Sequence, residues 1–79
     1  MEPIIIAALI LTAVAKGDDN SAPEGLLYAG LMGNVSLDEF QDVIGALEKG
    51  GLVTRSGAHV IRLTAEGIGK AAEIEERIA

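Results

Sequence analysis

Between Pro3 and Ala15 the chain runs thirteen residues without a charge, and its large aliphatics, Ile4, Ile5, Ile6, Leu9, Ile10, Leu11 and Val14, point all round a helical wheel. A helix that is apolar on every side is buried on every side. A chain of 79 residues can cover only part of it, because domains of this size bury roughly 60% of their unfolded surface. Small scaffolds make up the deficit with disulfides, a metal or another chain. There is no cysteine, and His59 is the only histidine, so neither a disulfide nor a structural zinc site is available. Another chain is the staple left, and a homodimer with Ile4, Ile5 and Leu11 at its seam is the expectation. The same run is too short to span a bilayer. Ala13-Val14-Ala15 resembles a signal-peptidase site, yet the residues before it hold Glu2 and no Lys or Arg, the reverse of a secretory leader. A cytoplasmic first helix is expected.

Periodicity and turn chemistry predict four helices and one hairpin in a single domain of residues 1–79. The fold class is mostly α with a small β-hairpin, α+β. The first helix runs from about Pro3 to Ala15, with Gly17 placed to cap its end. Ser21-Ala22-Pro23-Glu24 has the S-x-x-E form of a capping box and opens a second helix, about 22–32, which packs through Leu27 and Leu31. Ser36-Leu37-Asp38-Glu39 is a second capping box, with Val35 and Phe40 at hydrophobic-staple spacing. Leu37, Phe40, Ile44 and Leu47 form the buried stripe of that third helix, flanked by Val43, and Gly50-Gly51 ends it. Strands at 52–55 and 58–63 flank Ser56-Gly57 as a two-residue loop. That register sets Arg55 opposite Ala58, Thr54 opposite His59, Val53 opposite Val60 and Leu52 opposite Ile61. Leu52, Ile61 and Leu63 then face the core, while Val53, Arg55, Val60 and Arg62 face outward. Thr64 caps a last helix, about 65–78, with Ile68, Ala71, Ile74 and Ile78 as its apolar stripe.

The net charge of −6 has the wrong sign for non-specific attraction to nucleic acid or anionic membrane. Its distribution is uneven. Residues 1–50 carry eight acids against Lys16 and Lys49, whereas residues 51–79 balance four against four. Any anion site belongs to the C-terminal third.

Helix, helix, tight turn, helix, hairpin, helix is the order of a winged helix-turn-helix. Leu47-Glu48-Lys49-Gly50-Gly51-Leu52-Val53 resembles the L-E-x-x-G-L-[IV] junction between recognition helix and wing in MarR-like and archaeal winged-helix transcription regulators. Leu63-Thr64-Ala65-Glu66-Gly67 is similar to the L-T-x-x-G that opens the helix after the wing. The resemblance is specific over residues 36–72 and extends to residues 1–35 in element order only. It implies a third helix lying in a DNA major groove, with the hairpin reaching the backbone or minor groove. The residues at those positions argue otherwise. Outside its buried stripe the third helix presents Asp38, Glu39, Gln41, Asp42, Gly45, Glu48 and Lys49, a face of −3. DNA affinity rests largely on Lys and Arg displacing phosphate counterions.

Candidate contact residues are Gln41, Asp42 and Lys49 on the third helix and Arg55 and Arg62 on the hairpin, the two arginines sharing an outward strip. The alternative for that strip is an ordinary wet β-face whose arginines pair with nearby acids. Gly45, unfavourable inside a helix, points to close packing by another helix, with Gly30 a candidate for the contact. His59 has no second His or Cys with which to complete a metal or catalytic site, and no nucleophile, base and acid assemble elsewhere. The chain is therefore expected to be no enzyme, with no cofactor, no metal and no small-molecule substrate. Two functions follow. One is a homodimeric winged-helix module that binds protein through its acidic helix or hairpin. The other is a transcription regulator that binds duplex DNA through the hairpin and third helix.

Overall fold

The computed structural model describes residues 2–57 and 59–78. Helix α1 spans Pro3–Ala15, with Pro3 in the first turn, where a missing amide hydrogen is harmless. Strand β1 follows at Ser21–Pro23, helix α2 at Glu24–Leu31 and helix α3 at Leu37–Lys49. Strands β2, Val53–Arg55, and β3, Val60–Leu63, lead into helix α4, Ala65–Ile78. The three strands form one antiparallel sheet in the order β1-β3-β2. The α+β class expected from the sequence holds, with one strand more than the hairpin.

That strand replaces the expected capping box at Ser21. The Ser21 hydroxyl donates to the Asp18 carbonyl at 2.8 Å, and residues 21–23 pair with Arg62, Ile61 and Val60. The Glu24 amide, expected to be held by a cap, donates to the His59 carbonyl at 2.8 Å and extends this pairing. Pro23 favours extended backbone at the residue before it, and β3 offers a free edge there. Both effects defeat an early helix start, so α2 begins two residues later than expected. The capping box of α3 is intact. The Glu39 amide donates to Ser36 Oγ and the Ser36 amide to Glu39 Oε1, each at 3.2 Å.

The hairpin register also differs from expectation. Val53 pairs with Leu63, Thr54 with Arg62 and Arg55 with Ile61. The Ser56 amide donates to the Val60 carbonyl, so the loop holds three residues, 57–59. His59 closes it with φ 58°, a left-handed backbone that histidine tolerates better than most residues, as three-residue hairpin loops require. Ala58 lies outside the described residues. Moving the register by an odd number of residues exchanges faces. Val53 is therefore buried, and Leu52 is only partly so.

One core joins all the layers. Ile6, Ile10, Leu11 and Val14 of α1 meet Leu27 of α2, Phe40, Val43, Ile44 and Leu47 of α3, Val53, Ile61 and Leu63 of the sheet and Ala71 of α4. Leu11, expected at a dimer seam, is 2% exposed and belongs to this core, while Ile4 and Ile5 are exposed. Leu37 is 49% exposed, not part of the buried stripe of α3, and Ile68 is likewise exposed. The side chain of Ile78 lies outside the described residues. Among the described residues no helix is long and apolar enough to cross a membrane.

The two sequence motifs close on each other. Thr64 donates its hydroxyl hydrogen to the Gly51 carbonyl at 2.6 Å and accepts from the Gly67 amide at 3.0 Å, capping α4. Its own amide donates to the Leu52 carbonyl. Gly51 has φ 76°, and a Cβ at Gly67 would run into the Leu52 carbonyl oxygen. Both glycines are required by this clasp between the end of α3 and the start of α4.

Candidate interaction surface

The exposed side of α3 carries Asp38, Glu39, Gln41, Asp42, Glu48 and Lys49. Asp38 and Glu39 occupy its first turn, where carboxylates complement the helix dipole. Hydrogen bonds from the Ser36 backbone and hydroxyl hold the Glu39 carboxyl below the ordinary glutamate value. Gln41 and Asp42 are exposed one turn further on and Lys49 lies at the far end, so the three candidate contacts on this helix are all accessible.

The two arginines of the hairpin do not share a strip. With Val53 opposite Leu63 and Arg55 opposite Ile61, Arg55 lies on the core side of the sheet and Arg62 on the other. At the sheet's end Arg55 turns between helices, 3.7 Å from Glu24 Oε1 and 4.0 Å from Glu48 Oε1. Arg62 lies between Ser21 and Thr54 in register and binds Asp19 at 2.6 Å. Lys16 pairs with Glu75, while Lys70 and Arg77 both pair with Glu73. Among the described residues, five of the six basic side chains thus have a carboxylate of the same chain within 4.0 Å, and Lys49 is the sixth.

Glu24 is the centre of the polar cluster and the residue that sequence reasoning missed. Its side chain is only 13% exposed, with Arg55 on one oxygen and His59 Nδ1 3.6 Å from the other. Oε1 is buried and has no hydrogen-bond donor among the described residues. The sequence offers it only as part of a capping box, since Arg55 lies thirty-one positions away and meets it only through the sheet. Beside Glu24, a groove of about 340 Å³ runs between α2 and α3, lined by Tyr28, Leu37, Phe40, Gln41 and His59. The Tyr28 and Phe40 rings lie 5.3 Å apart at 54°.

Gly45 and Gly30 do not meet. A Cβ at either position would find nothing within 4 Å, so no helix of this chain packs closely on them. Among the described residues no three His, Cys, Asp or Glu side chains converge to hold a metal ion. Comparison of the chain with protein-family models, with curated proteins and with solved structures found no match.

Proposed function

We propose that this chain is a non-enzymatic, cytoplasmic winged-helix binding module, a homodimer that acts by contact with another protein. The observation that carries the reading is the disposition of its cations. A phosphate reader presents Lys and Arg free to displace counterions. Here Arg55 and Arg62, the hairpin residues best placed for that task, are engaged by Glu24, Glu48 and Asp19, and the exposed face of α3 is acidic. A protein surface with complementary basic groups is the better fit to that face.

The second reading, a winged-helix transcription regulator, draws on the two motifs and on Lys49, which is exposed where α3 meets the hairpin and has no carboxylate partner among the described residues. It requires both arginines to leave their partners. An amide NMR titration with generic duplex DNA at low salt separates the two, because even weak electrostatic binding is strongest there. The expected spectrum does not move. Shifts confined to residues 36–49 and 52–63, lost with added salt and in the Arg55→Ala, Arg62→Ala double variant, would replace the first reading with the second.

A further inference from the structure

An apolar face of the molecule is built by α1 and α2. Ile5, Leu9 and Ala13 recur every fourth residue along α1 and are exposed, forming a ridge. Beside the ridge lies a trough of about 380 Å³, walled by Leu9, Ala13, Leu26, Gly30 and Leu31. Leu26 stands 67% exposed at its rim. Among the described residues Lys16 is the one charged side chain lining the trough, and it pairs with Glu75. Gly30 sits inside α2, where glycine is the poorest choice short of proline. No contact within the chain calls for it, since a Cβ there would meet nothing within 4 Å. A glycine at that point lets a group from outside the chain approach the helix backbone.

We propose that this face is the seam of a two-fold dimer in which Leu9 and Leu26 of each copy enter the trough of the other, over Gly30. The inference rests on the homodimer reading above and names its surface. Two observations select a second copy of this chain as the occupant. Ridge and trough lie side by side on one chain, which is the self-complementarity an isologous contact demands. The chain also carries −6, so copies meeting through the acidic face of α3 repel, whereas among the described residues no carboxylate lines the trough itself. Exposed Ile4 and Ile5 extend it, because a second trough, lined by Ile4, Ile5, Ala8, Leu9 and Ile74, shares the Leu9 ridge.

Sedimentation equilibrium of the whole chain at micromolar concentration, with Leu26→Glu and Gly30→Leu beside the parent, tests the seam. The parent should be dimeric. Each variant should raise the dimer dissociation constant about tenfold or more, the loss expected for one well-buried anchor. Far-UV circular dichroism should not change, because Leu26 is exposed and leucine at position 30 is a better helix former than glycine. If Leu26→Glu fails to fold, Gly30→Leu decides alone. A parent dimer that persists in Gly30→Leu overturns this seam and leaves the homodimer reading standing. A monomeric parent overturns both.

Discussion

Gly67 has no side chain because the Leu52 carbonyl oxygen occupies the place where one would begin. Gly45, also inside a helix, has open space at the same position. Alanine at the two sites should therefore act in opposite directions. Gly67→Ala forces the clasp between α3 and α4 apart and should lower stability by about 1–3 kcal/mol, as overpacking does. Gly45→Ala loses no contact, stiffens the unfolded chain and should raise stability by about 0.4–1 kcal/mol. Urea unfolding of both variants measures the signs, and a stabilising Gly67→Ala would show that the clasp is not needed. Both glycines were visible in the sequence, one in a motif and one as an oddity inside a helix. Their reasons were not visible, because each depends on what stands opposite. Gly67 is opposed by a backbone sixteen residues down the chain from the start of α3's capping box, and Gly45 by nothing.

Among the elements, α3 and the hairpin mark the two extremes of legibility. The α3 start was readable because Ser36 and Glu39 satisfy each other's amides within four residues, with Val35 and Phe40 buried on either side. The Glu39 value is lowered in the folded chain, so its contribution is complete above the ordinary glutamate value and is lost as pH falls through the lowered one. Ser36→Ala should cost about 1 kcal/mol at neutral pH, the usual worth of an N-cap. The gap between variant and parent should then narrow well below the ordinary value of 4.5, where the carboxylate becomes protonated in both. Thermal melts at the two pH values check this, and an unchanged gap would remove Glu39 from the cap. The hairpin was misread because Ser56-Gly57 fits a two-residue loop, while the third strand at Ser21–Pro23 was not expected. Pairing β3 on both edges buries Ile61 at the sheet's centre, and a three-residue loop is the one that puts Val53 beside Leu63 on the core side.

For the molecule as a whole, charge sets the terms. The net −6 sits within residues 1–50, and the internal pairs neutralise most of the cations without neutralising the chain. Exposed ion pairs such as Arg62–Asp19 and Arg77–Glu73 contribute little, whereas the excess of acids repels throughout the folded state. Raising the salt from low ionic strength to about 0.15 M, where the screening length is about 8 Å, should therefore increase the melting temperature. A fall would mean that the ion pairs outweigh the repulsion.

The sequence by itself determined the presence of four helices, the α+β class, the caps of α3 and α4, the part of the core that α3 supplies through Phe40, Val43, Ile44 and Leu47, and the acidic character of the α3 face. Each of these rests on residues a few positions apart, whose periodicity, turn chemistry or charge acts locally. Only the tertiary structure decided the third strand, the hairpin register, the burial of Leu11 and the separation of Arg55 from Arg62 on opposite sides of the sheet. The engagement of Arg55 by Glu24 and Glu48 belongs with them. Those outcomes depend on groups distant in sequence competing for one edge, one face or one charge, and the packed core settles that competition.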